Sequence, residues 1–229
     1  MLKRACTPVP RIEDDGYLWY DRHADRCRLA QSANHDLVLI GDSITHFWET
    51  SLAPDLYLKV FGKYKTLNLG FGFDRTGNVL WRLDHGEFKG QTPKLLILHI
   101  GTNNLGKTLR YPGGDEPEEI ADAIQEITGK IHKLSPGTLI LLMGIFQRGI
   151  NADGFRNRIR SVNRFLAERF TSVPYVQFLD ISEQFMLPDG SELNSALFND
   201  NCHPNEKGYQ IWVDAVTPYL EKYLAPVKK

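Results

Sequence analysis

Cysteine is scarce in this chain, with only Cys6, Cys27 and Cys202 among 229 residues. None falls in Cys-x-x-Cys spacing, so neither a zinc site nor a disulfide framework is indicated. The odd count fits a reducing compartment. No apolar run approaches the ~20 residues that a membrane span needs. The opening Met1-Leu-Lys-Arg-Ala-Cys6 lacks the apolar core of a secretory leader. These absences set the expectation of a cytoplasmic chain, or a secreted or periplasmic one if a leader has been removed. An excess of one charge is missing too. The 27 Lys and Arg against 28 Asp and Glu leave a formal net charge of −1. That balance excludes the basic footprint of a nucleic-acid binder or of a protein held on an anionic membrane.

Internal repeats and low-complexity linkers are also absent. The length suits one domain over residues 1–229, and such a chain buries roughly three quarters of its unfolded surface without staples. Residues 1–16, with Pro8, Pro10 and the Glu13-Asp14-Asp15 run, read as an irregular arm, and 225–229 as a frayed tail.

What the chain does have is a regular alternation of apolar runs and amphipathic stretches. Strands are expected from Asp36 to Gly41, Thr66 to Leu69, Lys94 to Ile100, Thr138 to Ile145 and Val176 to Asp180. A helix is expected from about Tyr17 to Ser32, with Trp19 and Tyr20 inward. A short helical segment after Ser43 and another from Pro54 toward Phe61 follow. Thr76 reads as the N-cap of a helix carrying Val79, Leu80 and Leu83. Pro117 starts a long helix striped by Ile120, Ile124, Ile127, Ile131 and Leu134. Helices over about Asp153–Phe170 and Glu206–Tyr223 complete the pattern. This is the pattern of an α/β protein: a three-layer α/β/α sandwich around a central five-stranded parallel sheet, with right-handed crossovers.

In a parallel sheet the carboxyl ends of all strands share one edge, and binding crevices lie there. On that edge fall Gly41-Asp-Ser43, Gly70-Phe-Gly-Phe73, Gly101-Thr-Asn103, Phe146-Gln-Arg148 and the loop leading to Asp200-Asn-Cys-His203. Packing alone does not call for glycine-punctuated polar turns repeated on one edge. They supply the parts of acyl transfer. A serine hydroxyl needs an imidazole to take its proton, and the imidazole needs a carboxylate to fix its tautomer. Asp200 and His203 are close enough in sequence for one turn to aim both into the crevice. Candidate donors to an oxyanion are the Ser43 N–H, a main-chain N–H of the Gly70–Phe73 loop and the Asn103 amide.

These same residues carry a resemblance. Gly41-Asp-Ser43, Gly72, Gly101-Thr-Asn103 and Asp200-x-x-His203 match the four sequence blocks of the SGNH (GDSL) hydrolases. Asn78-Val-Leu-Trp-Arg-Leu83 and Gly101-Thr-Asn-Asn104 look most like the platelet-activating-factor acetylhydrolase-like branch. The resemblance runs from about residue 36 to 220. It implies a flavodoxin-like sandwich and a serine esterase that needs no metal or cofactor. By that match Ser43 is the nucleophile, His203 the general base and Asp200 its orienting carboxylate. The expected hole is the Ser43 and Phe73 N–H groups with the Asn103 amide. Phe73 stands where close relatives have glycine, so Gly72 is the fallback donor. The Phe73 ring, with Phe146 and Phe198, is expected to wall a narrow acyl pocket to which Asp42 and Arg148 also contribute. Arg148 is read equally as a substrate contact or as the partner of an acid. The expected substrate is a small acetyl ester of a carbohydrate or lipid-like alcohol, and a homodimer is expected from relatives that pair. A lipid-directed (lyso)phospholipase or thioesterase, and a non-catalytic binding or scaffold member, are the alternatives.

Rival readings of single residues are weaker. His46, three residues after Ser43, sits a turn too deep for the base. Cys202 reads as a small buried residue, and His99 as a satisfied core histidine. Asp84-His-Gly-Glu87 reads as a solvated helix end, and the arginines over 156–169 as a solvated face. Gly70-Phe-Gly lacks the third glycine of a phosphate cradle, and Asp74 would repel a phosphate.

Overall fold

A computed structural model describes residues 3–11, 16–50, 52–106, 113–149 and 153–227. The five apolar runs form parallel strands β1 (Leu37–Gly41), β2 (Thr66–Gly70), β3 (Leu95–His99), β4 (Leu139–Met143) and β5 (Val176–Leu179). They pair in the order β2-β1-β3-β4-β5, with Gly41 beside both Gly70 and His99. The chain leaves β1 toward one side and returns as β3 on the other. A crevice therefore opens at the carboxyl ends of β1 and β3.

Eight helices cover the sheet among the described residues: α1 (Trp19–Ser32), α2 (Ser43–His46), α3 (Pro54–Val60), α4 (Thr76–Asp84), α5 (Thr102–Leu105), α6 (Pro117–Leu134), α7 (Asp153–Phe170) and α8 (Glu206–Tyr223). Side chains alternate across a strand, so each strand feeds two cores. Val38, Ile40, Leu96 and Leu98 join α4, α6 and α7 on one face. Leu37, Leu39, Leu95 and Ile97 join α2, α3 and α8 on the other. No helix among the described residues is long and apolar enough to cross a membrane.

Several expectations need correction. Trp19 is buried, but Tyr20 is 53 % exposed, because the next position around α1 turns out of the core. Leu134, the last residue of α6, is also exposed. Arg75, not Thr76, is the N-cap of α4. The Arg75 N–H donates to Asn78 Oδ1 (2.7 Å), while the Thr76 hydroxyl donates to the Ala5 carbonyl (2.8 Å). The arm is therefore irregular but pinned, and the Val9 N–H also donates to the Gly77 carbonyl (3.1 Å). At the other end Val227 N–H donates to the Lys63 carbonyl (2.8 Å), so the tail is tied that far. Residues 1, 2, 12–15, 228 and 229 of the arm and tail lie outside the described residues.

Candidate active site

Two glycines let α2 lie directly across the strand ends. A Cβ on Gly41 would meet the His99 carbonyl at 2.4 Å, and one on Gly70 would meet the His46 nitrogen at 2.3 Å. At the start of α2 it is Asp42 that caps, its Oδ1 accepting the Ile44 N–H (2.9 Å). Ser43, the first helical residue, is thus relieved of the capping role that serine often takes. Its hydroxyl instead lies 2.8 Å from His203 Nε2.

His203 comes from a turn ahead of α8. The turn is closed by the Phe198–Pro204 bridge and by the Asn199 N–H donating to the His203 carbonyl (3.0 Å). Asp200 Oδ1 accepts the Cys202 and His203 N–H groups (3.0 and 2.7 Å), which folds the turn over its own carboxylate. Asp200 Oδ2 lies 2.7 Å from His203 Nδ1. A carboxylate can only accept, so Nδ1 carries the proton and Nε2 is left to accept from Ser43. Partial burial pushes the Asp200 carboxyl up, but its bonds from His203 outweigh this and hold it below the usual carboxylate range. Phe47 packs on the imidazole with ring centroids 5.2 Å apart. No signal in the sequence distinguished Phe47 for that position.

The loop after β2 is the third component. The Phe71 N–H donates to the Gly41 carbonyl (3.0 Å), tying the loop to the end of β1. The Gly72 N–H donates to His46 Nδ1 (3.3 Å) and is therefore occupied, which removes Gly72 as the fallback donor. Phe73 adopts φ +62°, the left-handed region that costs a side-chain-bearing residue roughly 1–2 kcal/mol. Its N–H meets no protein acceptor among the described residues. Asn103, in α5 after β3, donates one amide N–H to the Asp74 carbonyl (3.0 Å). That leaves the second N–H of its amide without a protein partner among the described residues.

Burial sets the charges around these groups. It lowers the His46 pKa to about 3, with Arg22, Arg26 and Arg82 adding to the effect. His46 is then a neutral acceptor near neutral pH and too weak a base to hold a serine proton. Burial raises Asp42 to about 7 against the pull of the Ile44 N–H and Arg148. Arg148 follows β4 at the same sheet edge. It donates to Cys202 Sγ (2.8 Å) and the Thr102 carbonyl (3.3 Å), and stacks over Phe155. It braces the β3 and His203 loops against each other.

The predicted pocket divides. Phe73 presents its ring at the surface, 52 % exposed. Phe146 stacks on Phe185 and meets His99 and Trp212 inside the core, so it is a core residue. Phe198 is buried beside Phe185. His99 is buried as expected, but neither ring nitrogen has a hydrogen-bond partner among the described residues. Sequence reasoning also missed a buried ion-pair network. Arg82, fully buried, donates to Asp74 Oδ2 (2.8 Å) and pairs with Glu87. Glu87 is thus no solvated helix end. Arg156 likewise departs from the solvated face, since it is buried.

Ser43, Phe73, Asn103 and the Asp200–His203 pair thus lie on four loops at one sheet edge. Among the described residues no cluster of His, Cys, Asp or Glu could hold a metal. Residues 39–211 match the GDSL-like lipase/acylhydrolase family. The subunit alpha1 of platelet-activating factor acetylhydrolase IB from Rattus norvegicus is 28% identical over 219 residues, 96% of this chain and 89% of that protein. A GDSL-like lipase from Bacteroides thetaiotaomicron superposes with a TM-score of 0.65 at 18% identity, covering 90% of this chain and 98% of its own. A catalytic mutant of an acetylxylan esterase from Geobacillus stearothermophilus gives 0.61 at 19% identity, covering 86% and 98%.

Proposed function

We propose, from the premise that the chain belongs to the GDSL-like lipase/acylhydrolase family, that it is a serine esterase releasing short acyl groups, acetyl above all, from an alcohol. The observation that carries this reading is the unbroken line of contacts from Asp200 through His203 to the Ser43 hydroxyl. As Ser43 Oγ attacks the ester carbonyl, His203 Nε2 takes its proton and Asp200 steadies the imidazolium. The carbonyl oxygen becomes an oxyanion, for which the Ser43 N–H, the Phe73 N–H and the free Asn103 N–H are the donors. Collapse of the tetrahedral adduct returns the proton to the departing alkoxide and leaves the acyl group on Ser43. Water then enters, gives its proton to His203, and releases the acid through the same hole.

The preference for acetyl draws on two supports. One is the Phe73 ring standing beside its own donor N–H, where a long acyl chain would have to pass. The other is the pair of relatives whose names specify acetyl esters, a platelet-activating factor acetylhydrolase and an acetylxylan esterase. The exposed Phe73 ring also offers apolar surface, which favours a lipid-directed (lyso)phospholipase or thioesterase as the second reading. A fluorophosphonate probe tests the nucleophile: mass spectrometry should find one adduct, on the peptide containing Ser43. Labelling elsewhere, or none, would remove Ser43 from the role. Faster hydrolysis of octanoyl than of acetyl esters would move the reading to the lipid-directed alternative.

A further inference from the structure

The loop that presents the Phe73 N–H is gripped from both of its flanks. On one side, His46 accepts the Gly72 N–H (3.3 Å). On the other, the Asp74 carboxylate, 2 % exposed, accepts from Trp19 Nε1 (2.8 Å) and Arg82 Nε (2.8 Å). Arg82 is itself immobilised: its guanidinium lies 4.1 Å from the centroid of Phe71 and pairs with Glu87 on its far side. The same Asp74 residue turns its main-chain carbonyl to the Asn103 amide (3.0 Å). Asp74 therefore links both non-serine donors, being the next residue after Phe73 and the acceptor that orients Asn103.

Burying two carboxylates and a guanidinium gives little net stability, because desolvation cancels most of the attraction. Such a network is a costly way to anchor a surface loop if packing is its only task. An oxyanion donor, by contrast, loses its effect when it drifts, since its advantage lies in being fixed before charge develops. A residue held at φ +62° also tends to relax unless its surroundings over-determine it.

We infer that Asp74 and Arg82 form a positioning pair for the oxyanion hole, holding the Phe73 N–H and the Asn103 amide in place through the Asp74 backbone. The inference rests on the esterase reading above. Neither side chain touches substrate, and the pair acts through the donors it holds.

The test is a double-mutant cycle between Asp74→Asn and Asn103→Ala, read as kcat and KM on p-nitrophenyl acetate beside wild type and Ser43→Ala. Asparagine keeps the shape of Asp74 and an acceptor for Trp19 but removes the charge that grips Arg82. Asp74→Asn should lower kcat roughly 10- to 100-fold with KM within about threefold, since the lost interaction belongs to the transition state. Asn103→Ala should then cost at least about tenfold less in the Asp74→Asn background than in wild type. Costs that simply multiply would overturn the positioning role. Where Asp74→Asn does not fold, Arg82→Lys serves in the cycle, keeping the charge but losing the two-sided fork. The wild type supplies a readout free of any variant: the Asn103 amide proton that is donated to the Asp74 carbonyl should be dispersed and exchange-protected, and a solvent-like proton there would overturn the inference. Equal rates for wild type and Ser43→Ala would sink the esterase reading itself. An active wild type with a multiplicative cycle sinks only the positioning pair.

Discussion

Phe73→Gly and Phe73→Ala, compared with each other, separate the backbone from the ring. Both variants lose the same ring. It is 52 % exposed, so its removal costs about 1 kcal/mol of burial out of the 1.5–3 for a fully buried apolar side chain. The two differ in what they do at φ +62°. Alanine keeps the left-handed penalty of roughly 1–2 kcal/mol. Glycine removes it but gives back about 0.4–1 kcal/mol through the freedom of its unfolded chain. The glycine variant should therefore be the more stable of the two by roughly 0.5–1 kcal/mol, the reverse of the usual order. That difference corresponds to about 1–4 °C in melting temperature for a chain of this size. Scanning calorimetry on both variants reads it directly. Both keep the main-chain N–H, so both should still hydrolyse acetyl esters. With the ring gone, the preference for acetyl over octanoyl in kcat/KM should fall roughly tenfold or more. An alanine variant more stable than the glycine variant would refute the strain argument. An unchanged acyl preference would refute the ring's part in choosing the acyl group.

Further outcomes follow from the same geometry. Asn103→Ala should lower turnover by roughly 10²–10³ with the fold intact, and near-normal kcat would remove Asn103 from the hole. Asp200→Asn should leave the turn closed but disfavour the productive tautomer of His203, lowering kcat by up to about 10⁴. A loss below tenfold would show that Asp200 does not orient the base. His99 is buried with a pKa lowered to about 3. Below its ordinary value near 6.5, only the unfolded chain's imidazole takes up a proton, so stability is lost as pH falls. Between pH 7 and pH 4 that loss is about 3 kcal/mol. Urea unfolding should show His99→Phe gaining on wild type by about that amount over the interval. A difference that does not change with pH would contradict the assignment.

The parts of the site carried by strand ends were legible in the sequence because glycine announces them. Gly41 and Gly70 sit where any Cβ would strike a neighbouring backbone. The Asp200–His203 pair was legible because three residues can be closed into one turn, and α8 because an amphipathic stretch is a local signal. The buried network was not legible. Arg82 and Glu87 look like solvated charges of an amphipathic helix and its end. What buries them is the chain path after α4, where Gly86 at φ +91° turns Glu87 back beneath Arg82. Such a return is a tertiary event with no periodicity to read. Phe146 misled for a related reason. It follows β4 at the correct sheet edge, but side chains there alternate between crevice and core, and a shift of one position reverses the reading. The same holds for Tyr20, where one step around α1 separates the core from solvent. His46 was seen as a rival base, and its role as acceptor for Gly72 emerges only once α2 is laid across β2.

On the proposed reading, Ser43, activated through His203, opens simple acyl esters. Hydrolysis of p-nitrophenyl acetate by wild type and by Ser43→Ala, each verified as folded by circular dichroism, puts this to the test. Wild type should turn the ester over clearly, and the variant should be slower by several orders of magnitude. Equal rates in the two folded proteins would contradict it.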